Sequence, residues 1–345
     1  MEQNHQQLIN YNKLLSFIED QYQIQASLYP LAGELDLNFK LVSELGKAFV
    51  VKVYAPDRDL EFLNFQENLL THLESKELNF DLPQVIKTHT GESTSNFIDE
   101  NQQQRSVRIL SWVPGRLWNH VNPNTEALRY ELGVLCGTLS TALLDFDDPF
   151  AHREFEWDIA TGLWVKDYLE LFDTAEQNLI KGFISQFEEV QTEYNQLQKS
   201  TVHNDANDFN ILVSEDVFNP KLEGLIDFGD AIYTQTINDL AICCSYAIMG
   251  FEDPLEASLA IVKGYHEFFP LEEKALEYLY TCNAIRLVIS VTKSRINKLE
   301  VAENSYLQVS DKAAWELLNK WKHIDPEFAY YQFRGACRMT PHPQS

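Results

Sequence analysis

Residues 201–213 read Thr-Val-His-Asn-Asp-Ala-Asn-Asp-Phe-Asn-Ile-Leu-Val, which sets His203, Asp205 and Asn210 in the pattern H-x-D-x-x-x-x-N between strand-forming ends. Seventeen residues after Asn210, Leu225-Ile-Asp227-Phe-Gly229-Asp230 supplies an Asp-Phe-Gly behind a second apolar strand. In this order, each beside a strand, the motifs are the two halves of a phosphoryl-transfer signature. Such chemistry needs Mg2+ to bridge nucleotide phosphates, and Mg2+ takes hard oxygen ligands. Asp227 offers a carboxylate for that role and Asn210 a neutral amide oxygen. A separate carboxylate must reach the attacking hydroxyl, orient it and take its proton, and Asp205 fits. His203 is expected to pack and hydrogen-bond behind the loop rather than react. Each residue alone could be a turn residue at a strand end; the set points to chemistry.

Working outward, the chain changes character at Pro114-Gly115. Before it, Leu8, Tyr11, Leu14, Leu15 and Ile18 fall at helical spacing. Strands are expected at 22–29, 37–43, 48–54, 84–88 and 106–113, with a helix over 59–73 and a polar loop around Gly91-Glu-Ser-Thr94. After the hinge, helices are expected over 126–144, 158–172, 175–197, 238–249, 254–269, 272–290 and 306–321, interrupted by short strands in 201–213 and 221–226. The expectation is an α+β, two-lobed protein: residues 1–113 a β-rich, nucleotide-covering lobe, and 114–345 a helical lobe carrying the catalytic loop, metal site and acceptor site. Ligands in such designs sit in the cleft between lobes.

The 345 residues carry 52 acidic against 27 basic side chains, a formal net charge of −25. Nucleic acid and anionic membranes are therefore not expected as partners, whereas an acidic cleft would attract a cationic small molecule. Five widely spaced cysteines without a C-x-x-C support neither a disulfide framework nor a zinc ribbon. No apolar run suggests a secretion signal or a spanning helix, so a reducing, cytoplasmic setting is expected. Composition leaves the oligomeric state open.

These motifs resemble those of the aminoglycoside phosphotransferase and choline kinase-like superfamily of small-molecule kinases. Gly33-Glu-Leu-Asp-Leu-Asn38-Phe39 resembles its nucleotide-covering turn, and Phe49-Val-Val-Lys52-Val-Tyr54 its lysine strand. The resemblance implies nucleotide contacts at Asn38, Phe39 and Lys52, with ATP or GTP as co-substrate. Alternation sets Lys52 on one strand face with Val50 and Tyr54. The helix glutamate that pairs with this lysine in the family has no clear counterpart, since Gln66, Glu67 and Glu61 are all candidates. Within the superfamily the chain is most similar to hydroxylysine kinase-like proteins, through Asn64-Phe-Gln66, Phe155-Glu-Trp157-Asp158, Asn238-Asp-Leu-Ala241 and Arg286-Leu-Val-Ile-Ser290. That implies a cationic or zwitterionic amino alcohol as acceptor, 5-hydroxy-L-lysine first among them, with Trp157 and Asp158 walling its ammonium and Arg286 meeting its carboxylate. Asp158 could equally be a helix N-cap. Aminoglycosides or choline-, ethanolamine- or homoserine-type acceptors are the alternative. Protein substrates would require an extended activation segment, but only 12 positions separate Asp227 from Asp239, which is expected to anchor the catalytic loop. A degenerate, non-catalytic binding protein is the remaining class.

Overall fold

Alternating apolar and polar residues build an antiparallel sheet in the first of two units, Met1–Pro114; the second is Gly115–Ser345. The structure is a computed structural model that describes residues 9–31, 33, 36–300 and 305–339. Helix α1 (Tyr11–Tyr22) starts at Asn10, whose side chain accepts from the Lys13 N–H at 3.1 Å. Leu8, where helical spacing began, lies outside the described residues. Tyr22, expected in a strand, ends this helix because it extends the buried stripe of Leu14 and Ile18 by another turn.

Strands β1 (Ala26–Leu31), β2 (Leu37–Ser43) and β3 (Ala48–Val53) precede helix α2 (Leu60–Glu74), and β4 (Val85–Ile86), β5 (Ser95–Ile98) and β6 (Gln104–Ser111) follow it. The sheet order is β1-β2-β3-β6-β4, with β5 also pairing with β6. Leu37, Phe39, Leu41, Phe49, Val51 and Val53 pack with Leu14 and Ile18 in one core, each such burial worth roughly 2 kcal/mol. The other face carries Asn38, Val50 and Lys52. Asp59 caps α2 by accepting from the Glu61 N–H, and Leu63, Phe65, Gln66, Leu69, Leu70 and Leu73 are buried along it. Arg108, the register partner of Lys52, is buried and donates to the Leu63 carbonyl and Thr94 Oγ1 at 3.0 Å each, which ties α2 to the sheet.

The second unit opens with β7 (Arg116–Leu117) and α3 (Glu126–Leu143). Residues 159–171, expected as α-helix, wind as a 3-10 helix, whose period of three is hard to separate from 3.6 over so short a span. Then come α4 (Thr174–Tyr194), β8 (Lys199–Val202), β9 (Ile211–Val213), β10 (Leu222–Leu225), β11 (Ile232–Gln235), α5 (Ile237–Ala247), α6 (Pro254–Phe268), α7 (Glu273–Glu300), α8 (Ser305–Trp321) and α9 (Pro326–Ala336). β10, β9 and β7 form one small sheet, and β11 and β8 another. Helices α3 and α6 meet backbone to backbone at glycines: a Cβ on Gly133 would overlap the Ile261 carbonyl, and one on Gly264 the Tyr130 carbonyl. Among the described residues no helix is long and apolar enough to cross a membrane. All five cysteines are buried and free.

Candidate active site

The loop from His203 to Asn210 joins β8 to β9 and is fixed from behind. Asn204 holds a left-handed φ of 64°, and the turn's two N–H groups, from His203 and Asn204, donate to the Asp239 carboxylate of α5 at 3.0 and 2.8 Å. Asp239 thus anchors the loop as expected, and its burial pushes its pKa up to about 6. His203 Nδ1 accepts from the Asp205 N–H at 3.1 Å, which leaves Nε2 as donor to the Ile226 carbonyl at 3.1 Å. Burial lowers this imidazole to about 4, so it is neutral in a fixed tautomer. Its ring also meets Phe228 edge-on at 4.5 Å, and one histidine therefore joins the two motifs.

Asp205 receives three side-chain donors. Arg286 Nη2 and Asn207 Nδ2 reach Oδ1 at 2.9 and 3.0 Å, and Asn210 Nδ2 reaches Oδ2 at 2.7 Å. Burial and the carboxylates of Asp230 and Asp227 push its pKa up, and the Arg286 guanidinium opposes them. Since Nδ2 of Asn210 is committed to Asp205, the amide oxygen is what Asn210 can offer a cation. The Ile226 N–H donates to the Asn210 carbonyl at 2.9 Å, and Ile211 pairs with Leu225, so Asn210 and Asp227 stand at the same end of β9 and β10. Asp227 is exposed and held at φ 63°, a conformation a non-glycine residue keeps at a cost of about 1 kcal/mol or more. Arg153 secures the turn beyond it, donating to the Gly229 and Ala231 carbonyls at 3.1 and 2.7 Å. One carboxylate and one amide oxygen suit Mg2+, which takes few protein ligands when phosphates and water complete its shell. Among the described residues no cluster of three acidic, His or Cys ligands occurs.

The residues expected near the acceptor have other partners. Asp158 is buried as the N-cap of the 3-10 helix, accepting from the Ala160 N–H at 3.0 Å and Thr234 Oγ1 at 2.9 Å. Its carboxylate is engaged inside the unit rather than walling an ammonium. Arg286 is 0% exposed and stands behind Asp205, not at a surface a substrate carboxylate could reach. Trp157 lays its half-buried ring over the guanidinium, with 4.8 Å from the ring centroid to the guanidinium carbon.

In the first unit, Asn38 and Lys52 are register partners on one sheet face. Phe39 differs from its expected nucleotide contact: alternation turns its side chain to the opposite face, fully buried against Tyr11 with ring centroids 5.4 Å apart. Of the turn before it, Glu34 and Leu35 lie outside the described residues. Among the candidate partners of Lys52, Gln66 accepts from the Tyr54 hydroxyl at 3.4 Å, Glu67 is paired with Lys87 at 3.1 Å, and Glu61 lies in the first turn of α2. Sequence reasoning missed Asn207, Arg153 and Tyr246, whose hydroxyl accepts from Arg286 Nε. Asn207 sits inside the motif and could have been found there, whereas the other two reach the site only through tertiary packing.

An antiparallel first unit and a helical second unit that presents this loop define an α+β phosphotransferase fold. The chain belongs to the phosphotransferase enzyme family, whose model matches residues 29–278. It is 25% identical over 345 residues to a hydroxylysine kinase of Danio rerio, covering 95% of this chain and 96% of the relative. It is 28% identical over 344 residues to that of Xenopus laevis, covering 91% and 90%. Among solved structures, an amicoumacin kinase in complex with AMP-PNP and Ca2+ superposes with a TM-score of 0.68 at 16% identity, over 95% of this chain and 99% of that one. A microcompartment-associated aminopropanol kinase gives 0.68 at 16%, over 94% and 95%.

Proposed function

We propose that the protein transfers the γ-phosphoryl group of ATP or GTP to the hydroxyl of a small amino alcohol, with 5-hydroxy-L-lysine as the acceptor. The observation that carries this reading is the Asp205 carboxylate, held by three donors beside Asn210 and Asp227. The hydroxylysine kinases that align with nearly the whole chain support the acceptor. Lys52 and Asn38 bind nucleotide phosphates. The Asp227 carboxylate and the Asn210 amide oxygen would hold Mg2+, which would neutralise charge on the phosphates. Asp205 orients the acceptor hydroxyl and takes its proton as the new P–O bond forms and the bond to the leaving nucleoside diphosphate breaks. The free, buried cysteines fit a reducing, cytoplasmic setting.

The test is a coupled nucleotide-consumption assay with ATP and with GTP over hydroxylysine, ethanolamine, choline, homoserine, aminopropanol and kanamycin. Hydroxylysine should give the highest kcat/KM. Asp205→Asn should lower kcat by about 10²- to 10⁴-fold with nucleotide affinity unchanged. Turnover of kanamycin without hydroxylysine would move the acceptor to the aminoglycosides, and no acceptor-dependent turnover would remove the kinase reading.

A further inference from the structure

Arg286 lies 81 residues from Asp205 in sequence, yet its guanidinium is the group the base leans on. All three nitrogens of the side chain donate within the unit: Nε to the Tyr246 hydroxyl at 3.3 Å, Nη1 to the Trp157 carbonyl at 2.9 Å and Nη2 to Asp205 Oδ1 at 2.9 Å. The Trp157 and Tyr246 rings flank it, with centroids 4.8 and 5.6 Å from the guanidinium carbon. Packing on both faces and three hydrogen bonds hold the long side chain in one rotamer, so its planar fork reaches Asp205 already oriented.

The two oxygens of Asp205 are not equivalent. Oδ1 receives two donors, from Arg286 and Asn207, which occupies both of its in-plane lone pairs. Oδ2 receives one from among the described residues, that of Asn210, and keeps a lone pair open to them. We propose that Arg286 is the positioning residue of the base: by saturating Oδ1 together with Asn207 it locks the carboxylate rotamer and presents Oδ2 to the acceptor hydroxyl. A carboxylate released from this grip would rotate, and the hydroxyl would meet a correctly aimed lone pair less often. The inference rests on the kinase reading above. It differs from a substrate-carboxylate role for Arg286 in what it leaves untouched, namely acceptor affinity.

The experiment compares wild type, Arg286→Lys, Arg286→Gln and Tyr246→Phe on two acceptors that share hydroxyl and amines, hydroxylysine and its decarboxylated analogue 1,5-diaminopentan-2-ol. Arg286→Gln should lower kcat about a hundredfold on both acceptors alike, with nucleotide and acceptor KM within about threefold of wild type. Arg286→Lys keeps the charge without the fork and should recover about tenfold of that loss. Should the Arg286 variants fail to fold, Tyr246→Phe, which removes one anchor of the guanidinium without a cavity, should still lower kcat about threefold on both acceptors. Unchanged kcat in folded Arg286→Gln, unchanged kcat in Tyr246→Phe, or a KM rise confined to hydroxylysine would each overturn the proposal. If wild type phosphorylates no acceptor, the kinase reading fails and takes this inference with it. If wild type is active, those outcomes overturn the inference alone.

Discussion

Asp208 lies between the base and Asn210, and burial pushes its pKa up to about 6, opposed by its own backbone N–H. In the unfolded chain an aspartate titrates near 4, so the native state binds the extra proton more readily than the unfolded state does. Stability from this group is therefore full below about pH 4 and is lost as pH rises through about 6. Asp208→Asn keeps the shape and removes the buried charge. In metal-free protein it should raise Tm at about pH 8, and the gain should shrink toward zero near pH 4. Calorimetry across that range checks it, and a pH-independent change would contradict the assignment. That Asp205, Asn210 and Asp227 would be brought together was legible in the sequence, because one short loop and one strand pair fix their spacing. The environment of Arg286 was not legible, since a cation on a late helix reads the same whether it meets solvent, a substrate or a buried carboxylate. Phe39 shows the converse: a motif resemblance pointed one way, and strand alternation, also readable, pointed the other.

Elements with a full apolar period were found at nearly their observed ends, as with β2, β3 and α2. The four-residue strands β5 and β11 escaped because so short a run cannot display alternation, and their strand character comes from the neighbours they pair with. Helix packing adds a constraint of its own at the glycines of α3 and α6. Gly264→Ala should gain about 1 kcal/mol of helix propensity yet lose more to the clash with the Tyr130 carbonyl, for a net destabilisation of about 1–3 kcal/mol. Gly182→Ala on α4, where a Cβ meets nothing within 4 Å, is the control and should stabilise by about 0.5–1 kcal/mol. Urea unfolding of both variants decides it, and equal effects would mean that the close approach carries no constraint.

Over the whole molecule the net charge of −25 acts on any ligand that arrives from solution. For a cationic acceptor the attraction weakens as salt shortens the Debye length, from roughly 30 Å at 0.01 M to 10 Å at 0.1 M. The kcat/KM for a diamine acceptor such as 1,5-diaminopentan-2-ol should fall several-fold over that interval, and that for zwitterionic hydroxylysine less. Parallel salt titrations of the two acceptors measure it, and equal slopes would show that long-range charge plays no part. Between Asp227 and Asp239 the chain spends its few residues on a 3-10 turn and on β11, hydrogen-bonded to the strand that leads into the catalytic loop. Held by that pairing, the segment delivers Asp239 straight to the two loop N–H groups it accepts from, so the stretch that would otherwise be a free connection serves as the brace of the catalytic loop.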